Sequence, residues 1–375
     1  MTTSLYVHIP FCKRKCIYCD FYSVICDAGL ASEYIRTAVA RIEGLAGGFS
    51  TIYVGGGTPT ALDRDPLERL LRALGRKRAG SHSEFTVEAN PESINDEKLR
   101  ILSDCGVNRL SIGVQSFRDR KLKALGRIHS SRAAEDSVMM AARRGFVNLS
   151  IDIIFGVWGE TAGDWEKDLE KAVSMPVAHI SCYALTYEKG TPLFSAVRNG
   201  SVNPLEDDAA ASMYEFAIDR LAVRGFSQYE ISNFAKEGRR CAHNMNYWEN
   251  GPYVGIGPSA VSYIDGVRSK NIADVGAYIK LSLEGASTAG SSEKLSPEKR
   301  ARETAALKIR TKDGIDFKWF AEKTGFDLEK FGKKAIADLL EKDLIKYKKT
   351  DNVPSGICLK RKGFLFCDTV SSALL

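Results

Sequence analysis

The sequence has no uncharged run long enough to cross a membrane. Its longest such runs, residues 172–187 and 250–264, carry proline and polar groups and fall short of the ~20 apolar residues that a spanning helix needs. Its start has no basic segment followed by an apolar stretch, so no secretory leader is expected and the expected compartment is the cytoplasm. Charge of one sign is nearly lacking too. Lys plus Arg is 53 and Asp plus Glu is 47, giving +6 over 375 residues, which does not point to nucleic acid or an anionic surface. The Lys-rich patch of Lys346, Lys348, Lys349, Lys360, Arg361 and Lys362 therefore reads first as a solvated face, with a nucleic-acid contact as the rival. Histidine is scarce, at five residues. Cysteine is not, but nine of them scattered through a long chain are not a disulfide framework.

What is present is 44% hydrophobic and 27% charged, a composition that excludes extended disorder. Short β-rich runs recur at 5–9, 51–54, 85–88, 109–114, 149–154 and 179–183. Helical spacing falls between most of them, over 31–45, 66–74, 96–105 and 132–144. This alternation reads as βαβ units with a parallel sheet. Six or so units imply an α/β fold, a closed or partial (β/α)6 barrel. Unusual polar residues end these runs: the glycines at 55–57, Glu88, Gln115 and Asp152. In β/α barrels that rim carries the active site.

The character changes after about residue 195. A helix is expected over 207–223 and a Gly/Ser/Thr-rich linker over 286–292. Helices are expected at 298–309, 317–323 and 328–340, with a β-like end at 356–367. The expected organisation is a barrel over 1–230, a barrel extension over 231–290 and a small C-terminal α/β domain, winged-helix-like, over 295–375.

Three cysteines stand apart from the rest. Cys12, Cys16 and Cys19 lie within eight residues, directly after the first strand. Three thiolates this close can hold one metal centre. A [4Fe–4S] cluster on three cysteines leaves one iron open to a ligand. The rival is a structural zinc completed by His8 or a distant cysteine.

The CxxxCxxC pattern after a strand resembles the radical S-adenosylmethionine (SAM) superfamily. Tyr6-Val-His-Ile-Pro-Phe-Cys12, Cys19-Asp-Phe21, Gly55-Gly-Gly-Thr-Pro-Thr60 and His243-Asn-Met-Asn-Tyr-Trp248 narrow it. So do Gly255-Ile-Gly257, Leu307 to Ile315 and Lys362 to Phe366. Together they resemble the oxygen-independent coproporphyrinogen III oxidase family, and within it the heme-chaperone branch. Phe21 stands where the oxidases usually carry a fourth cysteine, and only eleven residues precede Cys12. Both features speak for the chaperones and against decarboxylation of coproporphyrinogen. Gly156 to Thr161 and Val261 depart from the commoner forms.

The resemblance implies a [4Fe–4S] cluster on the three cysteines, SAM, and heme as cargo. Its partners would be a heme-accepting apoprotein and an electron donor, with a homodimer and peripheral membrane contact left open. It implies that Gly56, Gly57 and Thr58 line the SAM amino and carboxylate site, with N–H donors offered by the glycine turn. Glu88 can accept from an ammonium or from ribose hydroxyls, or form a rim salt bridge. Tyr6 and Tyr18 match SAM-contacting positions, or pack as aromatics. Gln115, Arg127 and Asp152 match positions around a second SAM, or Arg127 and Asp152 form a buried pair. His243, with Tyr247 and Trp248 beside it, is the candidate axial ligand of heme iron. The alternatives there are Cys241 as the ligand, and a satisfied core histidine.

Overall fold

A computed structural model describes residues 4–375. Six strands follow one another: β1 (Ser4–Ile9), β2 (Thr51–Gly56), β3 (Glu84–Ala89), β4 (Arg109–Gln115), β5 (Leu149–Phe155) and β6 (His179–Ala184). Each pairs in parallel with the next. Helices Ala28–Glu43, Arg64–Gly75, Asp96–Asp104, Ser131–Arg143 and Ala162–Ser174 make the crossovers. All six runs expected from the sequence are strands.

The strands alternate in a way that builds the site. Leu5, Val7 and Ile9 of β1, Ile52 and Val54 of β2, and Leu110, Ile112 and Val114 of β4 are buried in the main apolar core. The positions between them are polar and meet across the opposite face. Tyr53 reaches Glu88, Ser111 reaches Asp152, and Ser150 reaches His179. Successive strand side chains point to opposite faces, so the sheet has an apolar outside under the helices and a polar lumen.

Among the described residues, the sheet has twelve strands and ends in two free edges. The barrel is therefore partial, as expected. Residues 231–290 extend it on both sides. Asn233–Ala235 pairs antiparallel with β6. Tyr253–Ile256 pairs parallel with β1 and leads into an antiparallel run. The linker expected over 286–292 is a correction: Ala289–Lys294 is a strand paired with Val267–Asn271. All six of its residues are exposed, so it carries no core-facing alternation that composition could reveal.

The C-terminal part joins helices to a three-stranded antiparallel sheet of Ile315–Asp316, Val353–Leu359 and Ile345–Thr350. The helix expected over 328–340 divides at Gly332 into Leu328–Phe331 and Lys333–Glu341. The β-like end is corrected too. Its strand stops at Leu359, and Arg361–Leu365 and Cys367–Leu374 are helices. Among the described residues, no helix is long and apolar enough to cross a membrane.

Candidate functional site

The three cysteines sit on a loop that the chain closes on itself. Phe11–Cys12 pairs in parallel with Val24–Ile25, and the Cys26 N–H donates to the Cys12 carbonyl at 2.9 Å. Inside the loop the Cys19 N–H turns back to the Cys16 carbonyl at 3.3 Å. The glycine turn after β2 seats this loop. The Gly57 N–H donates to Ile9 O at 2.8 Å and the Thr58 N–H to Phe11 O at 2.7 Å. A Cβ on Gly57 would stand 2.6 Å from Phe11 O and 2.7 Å from Ile9 O, so only glycine fits. The donors expected to serve a ligand are thus already used to fix the cysteine loop. That part of the expectation is corrected.

All three thiols are free and half-buried. Burial pushes the Cys19 thiol up to about 11 and raises Cys12, with the Thr58 hydroxyl opposing the rise at Cys12. Thiols held this way need a metal's positive charge to become thiolates. Among the described residues, no three His, Cys, Asp or Glu side chains converge tightly enough for a single ion. His8, the fourth ligand a zinc site would call on, is buried and committed. Its Nε2 lies 2.8 Å from the Tyr22 carbonyl, and its Nδ1 3.0 Å from the Tyr6 hydroxyl. Three thiols on one loop, with His8 committed elsewhere, match the ligand number of a cluster that leaves one iron open.

A polar network ties this loop to the strand ends. Thr58 Oγ1 lies 3.5 Å from Cys12 Sγ and accepts from Asn90 Nδ2 at 2.7 Å. Asn90 Oδ1 accepts in turn from Arg127 Nη2 at 2.7 Å. Arg127 Nη2 also reaches Gly113 O at 3.0 Å, and Nη1 reaches Cys16 Sγ at 3.3 Å. The Arg127 side chain is 6% exposed, and Glu92 stands 3.8 Å away. Burial opposes the Arg127 charge, but Tyr18, Cys16 and Glu92 together hold it firmly protonated. Burial would raise the Glu92 carboxyl, yet the His129 hydrogen bond and the Arg127 charge hold it below its ordinary value. Arg127 therefore pairs with Glu92 rather than with Asp152. Gly126 adopts φ +75° and packs on Ile17, which brings Arg127 against the cysteine loop.

The other expected residues distribute as follows. Tyr18 packs beside Leu125, Ile154 and Val157. Glu88 lies over Gly55, where a Cβ would meet its carboxylate at 2.7 Å. It accepts from the Tyr53 hydroxyl at 2.7 Å and the Gly56 N–H at 3.1 Å. Burial lifts its carboxyl to about 7, against both hydrogen bonds. Gln115 ends β4 with φ +64°, a strained conformation for a non-glycine residue. Its amide lies beside the Gly113 position that Asn90 also fills. Asp152 lies deeper, 3.3 Å from Ser111 Oγ, with its carboxyl raised by burial. Tyr6 lies deep in the lumen, against Tyr53 and His243. The network residues missed in the sequence are Asn90, Glu92 and His129. The capping box that Asn90 forms with Ser93 was the one local signal.

His243 is not with this group. It sits at the N-terminal ends of the strands, the barrel floor, and is fully buried. Nδ1 lies 2.8 Å from Thr51 Oγ1 and Nε2 lies 2.9 Å from the Tyr247 hydroxyl. Burial, then the Arg109 charge, lower its pKa to about 3. Both ring nitrogens of His243 are thus engaged within the fold. Cys241 is equally buried. Of the readings the sequence leaves open at this position, the arrangement matches a satisfied core histidine.

Comparison with known proteins bears on the family and the fold. Residues 6–172 match the Radical SAM superfamily, and residues 295–366 match the HemN C-terminal domain. The chain is 36% identical to the heme chaperone HemW of Bacillus subtilis, over 99% of each chain. The chain belongs to the HemW family. The HemW of Lactococcus lactis is also 36% identical, over 91% of this chain and 90% of its own. Coproporphyrinogen III oxidase from Escherichia coli, described as a radical SAM enzyme, superposes with a TM-score of 0.84. It covers 100% of this chain and 90% of its own at 20% identity, a likeness of fold. Membership of the radical SAM superfamily brings with it a [4Fe–4S] cluster and SAM.

Proposed function

We propose that the protein is a heme chaperone. It carries the cluster on Cys12, Cys16 and Cys19, binds SAM at the barrel mouth and passes heme to an acceptor protein. The full-length likeness to heme chaperones supports this reading. The observation that carries it is the apolar character of the mouth. Phe21 is 64% exposed, Ile25 60%, Ile128 45% and Tyr183 41%. Phe21 and Ile25 belong to the cysteine loop and the short strand that closes it, Ile128 follows Arg127, and Tyr183 is near the end of β6. A cavity of about 240 Å³ lies beside Val157 and Trp158, with Arg118 and Arg120 at its edge. Arg118 and Arg120 both pair with Asp164 there, and a flat tetrapyrrole with an apolar face and carboxylate edges would take its place beside the exposed apolar side chains and draw on those cations.

When bound, the cluster supplies the electron that cleaves the SAM sulfonium bond, and the protein supplies binding and orientation. Gly56, Gly57 and Thr58 shape that end of the site, and Glu88 faces the SAM ammonium or ribose. A nearby cation would return the raised Glu88 carboxyl to its charged form. Gln115 and Asp152 extend the polar wall, and Tyr18 closes one side. Heme sits at the mouth in this reading. Ligation by His243 would first require the Ala242–Trp248 helix to leave the barrel floor.

Heme-loaded protein mixed with apomyoglobin tests the reading. The Soret band should pass to myoglobin. Incubation of the reconstituted protein with coproporphyrinogen III, SAM and a reductant should give no decarboxylated product. Decarboxylation without heme transfer would make the protein a dehydrogenase instead.

A further inference from the structure

We propose that Arg127 sets the reduction potential of the cluster through its hydrogen bond to Cys16, and that Asn90, Glu92 and His129 position it for this. The proposal rests on the cluster being carried by Cys12, Cys16 and Cys19, and its test separates the two.

A bidentate grip on a SAM carboxylate would require Arg127 to give up bonds it already makes, to Asn90, Gly113 and His129. Both forked edges of a guanidinium use Nη2. Both Nη2 hydrogens are taken, one by Asn90 Oδ1 at 2.7 Å and one by Gly113 O at 3.0 Å. What remains aimed at the cofactor is Nη1, 3.3 Å from Cys16 Sγ. A cation that donates to a cluster-bound sulfur stabilises the extra electron of the reduced state and raises the potential.

The surrounding residues act on Arg127 rather than on the cluster. His129 Nδ1 lies 3.1 Å from Glu92 Oε2, and its Nε2 lies 3.0 Å from the Val114 carbonyl. This fixes the carboxylate that stands 3.8 Å from Arg127. Asn90 links the same guanidinium to Thr58, whose hydroxyl touches Cys12. Two of the three cysteines thus share one buried network, and Asn90 is its joint.

The test is a dye-mediated redox titration of anaerobically reconstituted protein, following the spectrum of the reduced cluster. Iron and sulfide analysis accompanies each variant. Arg127→Met should keep its iron and titrate at lower potential. The reduced-to-oxidised ratio at fixed potential should fall at least about tenfold, which is 59 mV for a one-electron couple. Arg127→Lys and Asn90→Ala should shift the same way by less. A full cluster with unchanged potential in Arg127→Met would overturn the proposal. If Arg127→Met takes up no iron, the other two variants decide, and unchanged potentials in both would overturn it. Wild-type protein that takes up no iron would instead overturn the cluster assignment beneath it.

Discussion

Thr51 Oγ1 lies 2.8 Å from His243 Nδ1, and this contact fastens the Ala242–Trp248 helix to the barrel floor. Thr51 passes the chain on, donating to Ser4 Oγ at 2.7 Å. Glu84 of β3 caps the same helix, accepting from Ala242 N at 2.7 Å and His243 N at 3.1 Å. One helix terminus, three strands and a histidine form a single polar plug.

Removing the imidazole leaves a cavity and unpaired hydroxyls. His243→Ala should destabilise the protein by about 2–4 kcal/mol, read from urea unfolding at neutral pH. His82, the exposed histidine, should cost less than about 0.5 kcal/mol when replaced by alanine. Equal stability of the two variants would contradict the plug.

The two ends of the lumen respond to pH in opposite directions. His243 takes a proton near 6.5 when unfolded and near 3 when folded. Its contribution is therefore present above 6.5 and lost as pH falls toward 3. Glu88 has the reverse sign. Its carboxyl sits at about 7 when folded against 4.5 unfolded, so its contribution is present below 4.5 and lost as pH rises through 7. In cluster-free protein, Glu88→Gln should raise the melting temperature at pH 8 and change it little near pH 4.5. Glu230, also lifted to about 7 by burial, leaves a residual slope in the variant. A Glu88→Gln effect that is the same at both pH values would contradict the buried-carboxylate account.

Gly57→Ala should unseat the cysteine loop, because its Cβ meets two backbone oxygens that cannot move aside. Reconstituted iron per chain should fall well below wild type. Gly80, which has open space around its Cβ position, is the control, and Gly80→Ala should load normally.

Single serine replacements of Cys12, Cys16 or Cys19 should abolish the brown cluster absorbance. Cys26→Ser should retain it. Cys26 is the fourth cysteine near the loop, but its backbone N–H closes the loop whatever its side chain. Loss of the cluster in Cys26→Ser would show that it is a ligand too.

Much of this was legible in the sequence, for a physical reason. The barrel strands bury one full face, so their apolar residues recur densely enough to mark each strand. Glu88 and Gln115 follow from where those runs end, whereas Asp152 lies inside its strand rather than at the rim the sequence suggested. The strand Ala289–Lys294 was missed because it buries nothing. The C-terminal helices hid behind the aromatic residues Phe364 and Phe366, which suit a strand as well. Asn90, Glu92 and His129 have no periodicity to betray them, since they lie beyond strand and helix ends and meet only in three dimensions. The aromatic context of His243 was real. Its depth was not legible, because a short helix with mixed polarity gives no sign of which face enters a barrel.

The most direct measurement is an anaerobic heme titration of the cluster-loaded protein, followed at the Soret band. The wild type should saturate near one heme per chain. Tyr183→Ser combined with Trp158→Ser should weaken binding at least about tenfold, and His243→Ala should leave the band position unchanged. Absence of saturable binding in the wild type would contradict the heme-chaperone account.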